Sequence, residues 1–242
     1  MTDDDTVVDL HGMRAGSYPD GVAPIDVLAN PWCHYLANVQ IVEAAMAAEQ
    51  QGYDAVAITC FHDPALPEAR SMVDIPVVSM CESSLLVACS LGESLGLVGI
   101  GPANVQLVRA AVRKYGLEQR VCDVLPVDDR AVNEHEIDAS FATENALTAS
   151  FRAAARTLIA AGADVLVPSE SLLNTALVKQ QVTEVDGVPV VDAFAVMLAH
   201  AELLVRLRRT TGLGVSRTGA CARPRAGGVE QLRAAAAGVL SG

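Results

Sequence analysis

The sequence predicts an α/β protein of two pseudo-symmetric lobes with parallel sheets and a site in the cleft between them. Gly52-Tyr53-Asp54-Ala55-Val56-Ala57-Ile58-Thr59-Cys60 recurs in pattern 110 residues later as Gly162-Ala163-Asp164-Val165-Leu166-Val167-Pro168-Ser169-Glu170. In both, a helix-ending Gly and an Asp introduce a short apolar run of the kind that forms a buried parallel strand. A polar residue closes each copy, Cys60 in one and Glu170 in the other. Each copy then passes through a helical stretch into a second short strand, 74–78 in the first and 187–191 in the second. With 242 residues, 51% hydrophobic and 4% aromatic, the chain has enough apolar material for two modest cores.

Charge and cysteine usage exclude several classes of function. A net charge of −12 opposes binding to a phosphate backbone, so no nucleic-acid partner is expected. No apolar run reaches the roughly 18 residues of a membrane span, and the N-terminus lacks the basic-then-apolar layout of a signal peptide. A soluble, cytoplasmic protein with no membrane partner is expected. The six cysteines, Cys33, Cys60, Cys81, Cys89, Cys122 and Cys221, form no CxxC pair. They read as reduced thiols, mostly small core residues, not as a disulfide framework or a zinc site.

Taken in order, Asp3-Asp4-Asp5 reads as a solvated tail and Thr6 to Leu10 as a strand. Residues 11–31 form a long loop rich in Gly, Pro and Asp, a candidate to build a site, with His11, Arg14 and Tyr18 as its ligand contacts or as ordinary surface residues. Trp32 opens an Ala-rich helix to Gln51 with Val39, Val42 and Met46 as its core stripe. After Cys60, Asp63 is placed to cap and Pro64 to occupy the first turn of a helix reaching Met72. Cys60 thus lies at the carboxyl end of a parallel strand, where ligands bind in open α/β sheets, and before a helix N-terminus that favours a thiolate. On position alone it reads equally as a reactive thiol or an inert core cysteine. A strand over 75–80 leads to a helix ending near Leu91, whose early residues Glu82, Ser83 and Ser84 either touch a substrate carboxylate or carbonyl or cap the helix.

A strand through Leu95 to Gly99 enters a glycine-rich turn and a helix to Tyr115. The spacing of Gly96, Gly99 and Gly101 fits neither a dinucleotide fingerprint nor a phosphate loop, so no nucleotide is inferred. Val121 to Leu125 is another strand. Glu134, His135, Glu136 and Asp138 follow in a polar stretch that reads as a charged loop, with no fixed ligand spacing for a metal. An amphipathic helix over 141–161 precedes the second copy of the repeat. Glu170 then stands at the start of a helix, where an acidic residue stabilises the N-terminus whatever its other role. A long helix, 193–211, and an Ala/Gly/Arg-rich tail complete the chain.

Cys60-Phe61-His62-Asp63-Pro64-Ala65-Leu66, with Ala69-Arg70 and Pro76-Val77-Val78 behind it, resembles the hydantoin racemase branch of the aspartate/glutamate racemase superfamily. The resemblance extends through Tyr115-Gly116-Leu117, Gly162-Ala163-Asp164, Val188-Pro189-Val190-Val191-Asp192 and Ser216-Arg217-Thr218-Gly219. It implies two α/β lobes, no cofactor, no metal, and two cysteines facing one another across the cleft. It places Cys60 as the first of these. It also implies that helix 193–211 returns to the first lobe, so that residues 1–93 plus 193–242 form lobe one and 94–192 lobe two.

Two departures stand out. Pro168-Ser169-Glu170 occurs where hydantoin racemases show a Gly-Cys pair, so Glu170 takes the second cysteine's place; Pro168 to Asn174 is similar to a further branch with Pro-Gly-Glu followed by Leu-Asn. By the same resemblance the chain starts near the family's second strand, so either the family's first strand and substrate loop are omitted from this sequence or the loop at 11–31 takes over their role. The expected catalytic pair is Cys60 and Glu170, with Phe61, Glu82, Ser83, Ser84, Ser169, Ser171 and His11 around the substrate.

The expected activity is cofactor-independent racemisation, epimerisation or isomerisation at an acidic carbon beside a carbonyl, one group removing the proton and the other returning it. A small hydantoin, amino acid or carboxylate is the expected partner, in a homo-oligomer. A decarboxylase or lyase that protonates one face only, and a non-catalytic binding protein, are the alternatives.

Overall fold

A computed structural model describes residues 5–20, 22, 27–28, 30–128 and 146–240. The first half opens with α1 (Pro31–Gln51), which starts at Asn30, whose side chain accepts from the backbone N–H groups of Trp32 and Cys33. It ends at Gly52, φ 88°, in the left-handed region that glycine enters without steric cost. Then follow β1 (Val56–Ile58), α2 (Leu66–Met72), β2 (Val77–Ser79) and α3 (Met80–Leu91). Strands β1 and β2 pair in parallel, Val56 beside Val77 and Ile58 beside Ser79. Their inner faces, with Leu66, Ala69 and Val73, pack against Ala45 of α1.

The second half contains β3 (Leu95–Gly99), α4 (Pro102–Lys114), β4 (Val121–Pro126), α5 (Ala146–Ala160), β5 (Val165–Pro168) and α6 (Ser171–Lys179). Its parallel sheet has the order β4-β3-β5. A tight hairpin, β6 (Glu184–Val185) and β7 (Val188–Pro189), leads to Val190, which bridges in parallel to Leu166 of β5. Then come α7 (Ala193–Thr211) and α8 (Gly228–Leu240). Strand β3 is buried along its whole length, as expected for a central parallel strand covered on both faces.

The repeat is visible in this topology. Gly162, φ 102°, ends α5 as Gly52 ends α1, and β1 pairs with β2 as β5 pairs with the strand residue Val190. The helix after each second strand, α3 in one half and α7 in the other, packs on its counterpart. Helix α7 also crosses back onto β1 and β2. Each half braces the segment after its first strand against the start of that helix. Asp63 accepts from the Glu82 N–H at 3.3 Å, and Asn174 accepts from the Ala193 N–H at 2.9 Å. The repeat is therefore one of hydrogen-bonding logic as well as of strand pattern.

Several expectations need correction. Thr6 to Leu10 forms no strand: Val7 and Leu10 are 84% and 90% exposed, so nothing buries an apolar face there. Of the expected stripe on α1, Met46 packs in the core beside Ile41, Ala45 and Ala48, whereas Val39 is exposed. Asp63 does not cap α2. It sits at φ 48° and turns its carboxylate inward, where the Ser79 hydroxyl, the Glu82 N–H and the Tyr115 hydroxyl all donate to it. The Glu134, His135, Glu136 and Asp138 cluster lies outside the described residues.

The buried Asp63 joins the Cys60 turn to α3 and to the end of α4. Asp63→Ala leaves three donors without their acceptor. Hydrogen bonds to a charged group are worth about 1.5–3 kcal/mol each, with partial compensation by water, so a loss of about 3 kcal/mol is expected. A fall in the urea midpoint of unfolding measures it; an unchanged midpoint would show that these bonds add nothing to stability.

Candidate active site

Cys60 follows β1 by two residues and Glu170 follows β5 by two residues, at the carboxyl ends of the equivalent strands. Cys60 is half-buried. Burial pushes its thiol above the ordinary value, the backbone N–H of His62 pulls it back, and the nearby carboxylates of Glu170 and Asp63 push it up again. The helix-dipole expectation of a lowered thiol therefore fails. The cause is local: the chain makes a turn through 61–65, so α2 begins six residues beyond Cys60 and its seven-residue dipole is remote and weak.

Glu170 caps α6, accepting from the Leu173 N–H at 2.8 Å and from the Ser171 hydroxyl at 2.9 Å. Burial nevertheless raises its carboxyl above the ordinary value, against the pull of those donors and of the Leu172 and Ser171 N–H groups. It forms no ion pair with an Arg or Lys among the described residues. Its charge is felt at Cys60. Glu170 thus caps its helix while its charge also acts on the Cys60 thiol.

The other sequence-derived residues divide sharply. Ser171 touches the Glu170 carboxylate, and Ser169, fully buried, turns its hydroxyl back to the Val167 carbonyl at 3.1 Å. Phe61 is 2% exposed and belongs to the core. Glu82 is held by the Arg70 guanidinium in a two-pronged ion pair. Ser83 is buried against His200 of α7 at 2.9 Å. Ser84 is fully buried, and its hydroxyl has no hydrogen-bond partner among the described residues. His11 lies edge-on to Tyr53, on the amino-terminal side of β1, whereas Cys60 leaves its carboxyl end. Arg14 pairs with Glu43 of α1, so the early loop docks on that helix.

His62 and Asn104 are site residues that sequence reasoning missed. The His62 ring lies between the Cys60 sulfur, 3.9 Å from Nδ1, and the Asn104 amide nitrogen, 3.1 Å from Nε2. Asn104 also reaches the Ser169 carbonyl beside Glu170, at 3.4 Å. A contact thus runs from the Cys60 turn to the Glu170 turn through one amide. Gly99 makes room for it, because a Cβ there would collide with the Asn104 Oδ1. The signal in the sequence was the glycine-rich entry to α4, which was read only against nucleotide motifs.

Cavities of about 200 Å³ behind α6, and about 120 Å³ between Met13, Tyr18 and α1, include neither Cys60 nor Glu170. Cys60 and Glu170 stand instead at the carboxyl ends of equivalent strands, the edge where ligands bind in open α/β sheets. No helix among the described residues is long and apolar enough to cross a membrane.

Two α/β halves thus each offer an ionisable side chain at the same strand end. The chain belongs to the Asp/Glu/Hydantoin racemase family, whose sequence profile matches residues 26–201. The hydantoin racemase of Rhizobium meliloti is 29% identical over 177 residues, 73% of this chain and 69% of that protein. The hydantoin racemase of Pseudomonas sp. strain NS671 is 33% identical over 90 residues, only 36% of its length. Among solved structures, the allantoin racemase of Klebsiella pneumoniae superposes with a TM-score of 0.67 at 26% identity, over 80% of this chain and 75% of that one. An arylmalonate decarboxylase variant, at 18% identity and a TM-score of 0.51, shares the fold alone.

Proposed function

We propose that the protein is a cofactor-independent racemase of 5-substituted hydantoins, allantoin among them, in which Cys60 and Glu170 exchange protons with opposite faces of C5. The observation that carries this reading is the placement of one ionisable group at each equivalent strand end, with the charge of one acting on the other. The C5 proton is acidic because the carbanion is delocalised into the adjacent carbonyl. The substrate class is taken from the names of the similar proteins. The reading takes residues 1–93 plus 193–242 as one lobe and 94–192 as the other, in a cytoplasmic homo-oligomer.

The active pair carries one proton. With Glu170 ionised and Cys60 a thiol, the carboxylate removes the proton of one enantiomer and the thiol protonates the other face. The reverse direction needs the proton on Glu170 and a thiolate at Cys60. Because racemisation has an equilibrium constant of one, kcat/KM is equal in the two directions. The unequal acidities appear instead in kcat and KM separately.

The test is the loss of optical rotation of enantiopure allantoin and of 5-substituted hydantoins, followed against pH. Below the carboxyl pKa both groups are protonated and no base is left; above the thiol pKa no acid is left. A bell-shaped kcat/KM is expected, its acid limb above the ordinary carboxyl value of 4.5 and its alkaline limb above the ordinary thiol value of 9.0. Unchanged rotation for every substrate of this class, or a profile with no acid limb, would overturn the proposal.

A further inference from the structure

The Asn104 amide has its orientation fixed by groups that cannot change role. The Ile100 N–H can only donate, and it meets Oδ1 at 3.1 Å; the Ser169 carbonyl can only accept, and it faces Nδ2 at 3.4 Å. The nitrogen is therefore the end that meets His62 Nε2 at 3.1 Å. A donor facing Nε2 requires a lone pair there, so the ring proton is on Nδ1, the atom 3.9 Å from the Cys60 sulfur. That separation is at the long end for a hydrogen bond to sulfur.

We propose that Asn104 and His62 form a tautomer lock on Cys60, in which the amide holds the imidazole neutral with its proton on Nδ1 and that N–H steadies the sulfur as a thiolate. The inference rests on the reading of Cys60 as a proton-transferring group, and it assigns His62 the part of a positioning residue. The ring is not a proton shuttle, because a ring that relays protons must take one at Nε2, and Asn104 occupies that lone pair. It adds a second donor to the sulfur beside the His62 backbone N–H, where burial and two carboxylates oppose the charge.

The groups around the pair are consistent with this role. The charges of Glu170, which caps α6, and of Asp63 in its own turn act on Cys60, and Cys60 in turn acts on the buried Cys81 of α3. His62 faces His34 of α1 and Asp63. Burial and the neighbouring His34 both lower its affinity for a second proton, while Asp63 acts the other way.

Two measurements on the full chain test the lock without any substrate, so they stand or fall separately from the racemase reading. Long-range proton–nitrogen NMR of the histidine rings, with His62 assigned by loss of its signals in His62→Asn, is expected to show a neutral ring protonated at Nδ1. A ring protonated at Nε2, or a charged ring at pH 7, overturns the proposal. Iodoacetamide labelling of Cys60 against pH, read by peptide mass spectrometry, gives the thiolate fraction. His62→Leu is expected to slow labelling about tenfold at pH 7.5 and move the midpoint up about one unit, equivalent to about 1.4 kcal/mol. His62→Asn, whose amide can place an N–H near the position of Nδ1, is expected to restore most of that reactivity. Equal labelling of His62→Leu and wild type, or no rescue by His62→Asn while the variant remains folded by circular dichroism, overturns it.

Discussion

Cys60→Ser is expected to lower kcat/KM for racemisation by about 10²–10⁴-fold in both directions, the range that a positioned proton-transfer group contributes. A serine hydroxyl fills the same space and can still meet His62, so stability is expected to change by less than about 1 kcal/mol. The loss is chemical, because an alcohol neither gives nor takes a proton readily near neutral pH. Glu170 remains ionised in the variant and can still remove the proton of the enantiomer that faces it. In heavy water, Cys60→Ser should therefore exchange that enantiomer's C5 proton without inverting it, and leave the other enantiomer untouched. Exchange of both enantiomers would place the surviving base elsewhere.

Glu170→Gln is expected to produce a comparable loss, 10²–10⁴-fold, by removing the partner on the other face. The amide oxygen can still cap α6 through Leu173 N–H, so the fold is expected to lose only about 0.5–1 kcal/mol. A second consequence separates this variant from mere damage. The Glu170 charge pushes the Cys60 thiol up, and removing it favours the thiolate, so alkylation of Cys60 at neutral pH should become faster while racemisation fails. The acid limb of the pH profile should disappear. A variant that racemises normally, with slower alkylation, would show that Glu170 is only a cap.

The sequence carried the parallel strands, the helix-ending glycines and the equivalence of Cys60 with Glu170, because these depend on local pattern and on repetition. Gly52 and Gly162 both adopt the left-handed backbone that ends a helix, which a glycine before an apolar run announces. Side-chain roles were less legible because they are set by contacts distant in sequence. Glu82 looked available for a substrate until Arg70 claimed it, and Ser83 until His200 did. Phe61 is adjacent to Cys60 yet is buried in the core, because the chain turns at that point. His62 and Asn104 are 42 positions apart, and nothing in either's local pattern announces the other. The resemblance motifs acquire physical reasons only in three dimensions: Tyr115 anchors Asp63, and Arg217 pairs with Asp74 and bonds to the Arg70 carbonyl, tying the tail to α2.

The central claim is that two different groups work from opposite faces of one carbon, and early-time racemisation in heavy water tests it most directly. Each pure enantiomer is incubated with the wild-type protein, and deuterium at C5 is measured by mass spectrometry in the separated enantiomers before a tenth of the substrate has turned over. If one group removes the proton and a different, solvent-exchanged group supplies its replacement, the newly formed enantiomer carries deuterium at C5 while the remaining substrate does not. That result is expected from both starting enantiomers. Deuterium appearing equally in substrate and product, or product retaining the original proton, would mean that a single group serves both faces, and would contradict the pairing of Cys60 with Glu170.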